Sequence, residues 1–144
     1  MKLEYTQQYL TNILKNVKTI AIVGASSKEK RDSFKVMKNL IENGYEVFPV
    51  NPNEAGRIIL GKVCYTDLEE IPIDIDMVDV FRAKEAVMDV AKQTIKIGAK
   101  VLWLQEGIIH EEASNLAKSH GLDVVMNRCP KKELSRSYWT SQSK

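Results

Sequence analysis

The chain has 144 residues, 44% of them apolar and 28% charged, with a formal net charge of +2. That describes one ordinary globular domain, long enough to bury a core without disulfide or metal staples and too short for a second domain of comparable size. So small a charge argues against nucleic-acid and membrane-surface binding, and no apolar run is long enough to span a bilayer.

Residues 5–17 place Leu10, Ile13, Leu14 and Val17 at helical spacing, which predicts an amphipathic lead-in helix. Glu4, Gln7 and Gln8 interrupt any signal-peptide core, so the expected setting is the cytoplasm. The run Thr-Ile-Ala-Ile-Val at 19–23, ended by Gly24, reads as a buried parallel strand. Residues 32–42 carry a helical stripe (Phe34, Met37, Leu40, Ile41) closed by Asn43-Gly44. A strand follows at 47–50, where Pro49 suits an edge, and Asn51-Pro52-Asn53 breaks it. Residues 56–65 read as a loop with a short turn of strand, and Asp67 as the cap of a brief helix before Pro72.

Strands at 77–81, 100–104 and 122–126 then alternate with helices at 84–97 and 111–119, stopped by Gly98 and Gly121. A short helix begins at Lys131, and residues 140–144 read as a loose tail. This order predicts an α/β fold: a single domain over 1–144 built as a doubly wound, Rossmann-like parallel sheet of about five strands with helices on both faces.

In such a sheet, ligands bind beyond the carboxyl ends of the strands. The residues there are Gly24-Ala25-Ser26-Ser27, Asn51-Pro52, Arg82-Ala83, Gln105-Glu106-Gly107 and Asn127-Arg128. Four small residues after the first strand let a diphosphate approach backbone N–H groups near a helix start, and Lys28, Lys30 and Arg31 add positive charge. The alternative is a plain tight turn with solvated lysines. A dinucleotide fingerprint G-x-G-x-x-G is incomplete, because Ser26 and Glu29 hold its second and third glycine positions. The second strand has no carboxylate at its tip, which disfavours NAD, and no P-loop motif is present.

The runs Ile22-Val23-Gly24-Ala25-Ser26, Val47-Phe48-Pro49-Val50-Asn51-Pro52, Gln105-Glu106-Gly107 and Asn127-Arg128-Cys129 resemble those of small bacterial and archaeal CoA-binding proteins. The likeness spans residues 10–136. It extends, more distantly, to the CoA-binding domain of the succinyl-CoA synthetase alpha subunit. The resemblance implies coenzyme A or an acyl-CoA as ligand. Its diphosphate would lie on Gly24, Ala25, Ser26 and Ser27, and its adenosine near Val50, Asn51 and Pro52. The pantetheine would run past Phe81, Arg82 and Ala83 toward Gln105, Glu106 and Gly107, with Asn127 and Arg128 beyond. Where the synthetase has a lysine after the second-strand proline, this chain has Asn53-Glu54, so Lys28 and Arg31 are expected to meet the 3′-phosphate, ahead of Arg57. The synthetase's phosphorylated histidine has no counterpart here, and Glu133 is followed by Leu134 where the small family often has a Glu-His pair.

Cys129 could meet the ligand's thiol as a mixed disulfide or be a packing cysteine, with Cys64 still less exposed to chemistry. The two cysteines form neither CxxC nor a metal spacing, so no metal is expected. His110 and His120 flank one helix, with His120 a dipole partner for its C-terminus. Asp74, Asp76 and Asp79 read as a solvated strand edge. Glu106 could be a general base or simply a stabilising charge near a helix start, Trp103 a core residue and Trp139 the cover of an oligomer surface. A nucleophile, base and orienting group cannot be assembled, so no catalytic residue is assigned. The function expected is a CoA-binding carrier, sensor or regulatory module. The alternatives are an acyl-CoA-processing enzyme or subunit using Glu106 or Cys129, and an NAD-responsive regulator.

Overall fold

A computed structural model describes residues 4–136 and 139; the expected tail at 140–144 lies outside the described residues. The chain forms α1 (Gln7–Asn16), β1 (Thr19–Val23), α2 (Asp32–Glu42), β2 (Glu46–Val50), β3 (Ile58–Ile59), β4 (Lys62–Val63), β5 (Met77–Val80), α3 (Lys84–Lys96), β6 (Val101–Leu104), α4 (Glu111–Ser119), β7 (Asp123–Val125) and α5 (Pro130–Leu134). Single 3₁₀ turns occupy Pro52–Glu54 and Leu68–Glu70, the second held by a reciprocal Asp67–Glu70 capping box.

Five strands form one parallel sheet in the order β2-β1-β5-β6-β7. The expected doubly wound α/β fold is therefore the observed one. Along each strand successive side chains go to opposite layers. Ile20, Ile22, Val47, Met77, Val101, Trp103 and Val125 pack with α1, α2 and α5. Ala21, Val23, Phe48, Val78, Val80, Leu102, Leu104 and Val124 pack in the other layer with α3 and α4. Burial on both faces explains why these strands read as continuous apolar runs.

Both edges of the sheet are occupied. At β2, Pro49 lacks a donor, and its carbonyl accepts from the Tyr65 N–H at 3.0 Å. At β7, the Tyr9 hydroxyl donates to the Val124 carbonyl at 2.9 Å and accepts from the Val124 N–H at 3.1 Å. The Tyr5 hydroxyl accepts from the Met126 N–H at 2.8 Å. The residues after α1's predicted start thus anchor the far end of the chain.

Two sequence expectations change. The stretch 56–65 is a small antiparallel hairpin, β3–β4, whose turn places Leu60 and Gly61 at φ 49° and 81°. Asp79 is not part of a solvated edge. It sits in β5 at the centre of the sheet with 0% exposure, in the layer of Ile22 and Trp103, and neither carboxylate oxygen has a donor among the described residues. Burial alone pushes its carboxyl well above the usual range. Its neighbours in sequence differ: Asp74 is exposed, while Asp76 accepts from the Lys18 and Thr19 N–H groups at 2.8 and 3.3 Å.

Candidate functional site

The chain runs from β1 outward to β2, then returns to place β5 on the other side of β1. That reversal is the topological switch point at which open α/β sheets form their ligand crevice. Here it lies between Gly24, after β1, and Phe81, after β5. The Phe81 N–H donates to the Val23 carbonyl at 2.8 Å, and the two strand ends touch closely. A Cβ on Gly24 would lie 2.1 Å from the Phe81 carbonyl oxygen, and Gly24 has φ +91°. The sequence expectation gave this glycine to the diphosphate's approach; its first requirement is instead the contact between two strand ends.

Above the switch point opens a groove of about 920 Å³. Of the residues expected at the site, Gly24, Ala25, Ser26, Lys28, Arg31, Asn51, Phe81, Arg82, Gln105 and Glu106 line it. Ser27, Val50, Pro52, Ala83, Gly107, Asn127 and Arg128 do not stand on its wall. Several of these support it from behind. The Val50 carbonyl accepts from the Gly24 and Ala25 N–H groups at 2.8 and 3.3 Å, and Asn127 Oδ1 accepts from the Gly107 N–H at 2.7 Å. Arg128 lies 3.6 Å from Glu133, itself 1% exposed and also paired with Arg136 at 2.9 Å.

The wall also contains residues that inspection of strand ends missed. Asp32, Ser33, Lys35 and Val36 come from the first turns of α2, and Lys131 and Lys132 from the start of α5, next to Cys129, for which the sequence had left contact with the ligand open. Their signal was helical spacing: residues one turn into a helix return to face the strand ends. Glu54 corrects a further expectation. It lies beyond the tip of β2, yet its Oε2 accepts from the Ser27 N–H at 3.3 Å and it lines the groove, so the second strand does bring a carboxylate to the site.

Charge gives the groove its character. Seven cationic side chains (Lys28, Lys30, Arg31, Lys35, Arg82, Lys131, Lys132) face three carboxylates (Asp32, Glu54, Glu106). At the start of α2 the Asp32 and Ser33 N–H groups find no acceptor among the described residues, nor does the Ser26 N–H. A helix start with free donors attracts anions. Glu106 is held by Lys132 at 2.8 Å, and that hydrogen bond, then the carboxylate's charge, raises the Lys132 ammonium. His110 is the N-cap of α4, its Nδ1 accepting from the Ala113 N–H at 3.1 Å; His120 Nδ1 lies 3.1 Å from the Leu116 carbonyl at the other end. Among the described residues no group of three or more His, Cys, Asp or Glu side chains is placed to hold a metal, and no helix is long and apolar enough to cross a membrane.

A doubly wound sheet with a cationic crevice at its switch point defines an anion-binding α/β domain of the nucleotide-cofactor type. Residues 18–135 match the family model described as CoA binding domain, and the chain belongs to that family. It is 40% identical over 124 residues to the uncharacterized protein YneT of Bacillus subtilis, covering 85% of this chain and 89% of that protein. It is 36% identical over 91 residues to the alpha subunit of acetate–CoA ligase [ADP-forming] I of Pyrococcus furiosus, covering 60% of this chain but only 20% of the subunit. A solved structure, a hypothetical protein from Pyrococcus horikoshii OT3, superposes with a TM-score of 0.86 at 42% identity, covering 94% of this chain and 98% of that one.

Proposed function

We propose that this chain binds coenzyme A in the groove and acts as a carrier, sensor or regulatory module rather than as an enzyme. The observation that carries this reading is the excess of cations around the free N–H groups of α2, in a chain of the CoA-binding family. The diphosphate would meet the N–H groups of Ser26, Asp32 and Ser33, because those of Gly24, Ala25 and Ser27 already have protein acceptors. Arg31 and Lys28 would take the 3′-phosphate. Pantetheine would pass Phe81 and Arg82 toward Gln105 and Glu106.

Thermal unfolding tests the ligand. A bound ligand stabilises by mass action, so CoA should raise Tm clearly and NAD at equal concentration should not. NAD is a pointed control because Glu54 offers a carboxylate for a ribose diol. An equal or larger shift with NAD overturns the assignment. Arg31→Ala should weaken CoA about tenfold or more, the scale of one charge-assisted contact, while leaving dephospho-CoA nearly unchanged. Equal weakening of both ligands would remove Arg31 from the 3′-phosphate.

The enzyme reading rests on Glu106 or Cys129, yet that carboxylate is engaged by Lys132, Cys129 is only 5% exposed, and neither histidine lines the groove. Acyl transfer needs a nucleophile within reach of a base. Acetyl-, succinyl- and longer acyl-CoAs should therefore bind without sustained thiol release. Many turnovers that vanish in Glu106→Gln would establish the enzyme instead.

A further inference from the structure

Lys132 interacts with two parts of the groove wall. Its ammonium grips both oxygens of Glu106, Oε1 at 2.8 Å and Oε2 at 3.1 Å. It is also close enough to Asp32 to interact with it electrostatically, and Asp32 is the first residue of α2. The helices that carry Asp32 and Lys132, α2 and α5, pack against each other. One ammonium on a flexible stem therefore reaches both the Glu106 turn and the start of α2, where the Asp32 and Ser33 N–H groups have no acceptor among the described residues.

The backbones on both sides are fixed. α5 is pinned by buried Leu134 and by buried Glu133, which pairs with Arg128 and Arg136, and the Lys132 carbonyl accepts from the Ser135 hydroxyl at 2.8 Å. Opposite it, the Ile108 N–H donates to the Gln105 carbonyl at 3.0 Å and the Gly107 N–H to Asn127 Oδ1 at 2.7 Å, which closes the turn carrying Glu106. Only the two side chains can move. They are 63% and 47% exposed, and an ion pair so open to water is weak. A diphosphate brings more negative charge and more acceptor oxygens than one carboxylate, so it competes well for the same ammonium.

We propose that Lys132 is a diphosphate-binding residue held in reserve: Glu106 stands in for the ligand in the free protein, and the bound ligand takes Lys132 from it. This rests on the CoA reading above. Lys132 meets the diphosphate at the start of α2, while Lys28 and Arg31 face the 3′-phosphate. Glu106 then stays on its fixed turn without its counter-ion. Neither histidine lines the groove to work with the freed carboxylate, so the exchange alters surface charge and not the ligand. A bound ligand is thereby displayed as a bare carboxylate at the groove's rim, which is the output a sensor needs.

The experiment titrates CoA and dephospho-CoA by calorimetry into the full natural chain, Lys132→Gln, Glu106→Gln and the double variant. Lys132→Gln should weaken both ligands alike, by about fivefold or more, since both carry the diphosphate. Glu106→Gln should tighten both by about twofold to fivefold, the strength of the exposed pair that no longer competes. That gain should vanish in the Lys132→Gln background. A gain that persists there means Glu106 acts through its charge alone, and weaker binding by Glu106→Gln means that it positions Lys132; either result overturns the reserve role. A Lys132→Gln loss confined to CoA moves Lys132 to the 3′-phosphate and overturns the assignment. Melting temperatures without ligand should stay close to that of the natural chain, because both side chains are exposed. If the natural chain binds CoA and Lys132→Gln binds it equally well, this inference alone fails. If the natural chain binds neither ligand, the binding reading fails with it.

Discussion

Replacing Asp79 with Asn is expected to stabilise the protein, by on the order of 2 kcal/mol at pH 8, because the amide stays an unpartnered polar group but has no proton that folding must hold against ionisation. Asp79 has 0% exposure at the centre of the sheet, and burial holds its carboxyl well above the usual range. Below about pH 4 the group is protonated in both the folded and the unfolded chain. Above that, the unfolded chain ionises freely while the folded one must keep its proton. This part of the stability is therefore fully present at low pH and is lost as pH rises through the folded value. No ion pair relieves the group, since desolvation is the one cause of its shift. Chemical denaturation of the natural chain and Asp79→Asn between pH 4 and 8 should give a difference that widens with pH. A difference that stays flat would show that Asp79 has a partner in solution.

Gly24→Ala is expected to be severely destabilising, by more than about 3 kcal/mol, through strain at a left-handed position combined with a steric clash. The new Cβ would lie 2.1 Å from a backbone oxygen, that of Phe81, and 2.9 Å from its carbonyl carbon. Backbone cannot rotate away as a side chain can, so β1 and β5 must part where the groove begins. Gly107→Ala is the control. Its φ is +87°, but a Cβ there meets open space, so only the strain term of about 1 kcal/mol applies. Urea midpoints of the two variants decide it. Similar losses would mean that the Phe81 contact relaxes cheaply. Any CoA measurement on a Gly24 variant therefore reads folding before it reads the ligand.

The order of the elements was legible because two-sided burial writes strands as apolar runs, while helices carry stripes closed by Gly44, Gly98 and Gly121. The β3–β4 hairpin escaped because a two-residue turn usually announces itself with Asn-Gly or Asp-Gly. Here Leu60 takes the left-handed position, which its side chain does not advertise. Asp79 misled for a related reason: alternation of Asp and apolar residues signals a half-exposed strand, and nothing local says that helices cover both faces. At the groove, residues immediately after the strands were readable from topology. Lys132 and Glu54 were not, since each arrives by way of a short helical turn whose direction depends on packing.

The tyrosine hydroxyls on β7 have a meaning for the behaviour of many chains together. A strand with bare N–H and C=O groups is a template on which another chain can add a strand. Tyr9 takes both groups of Val124, and Tyr5 takes the N–H of Met126. At the opposite border the Tyr65 N–H already occupies the Pro49 carbonyl. The sheet thus ends in side chains and proline rather than in open ladders, which blocks edge-to-edge polymerisation in a crowded solution. Two phenol oxygens near the start of the chain act as end-stops for a sheet completed more than a hundred residues later.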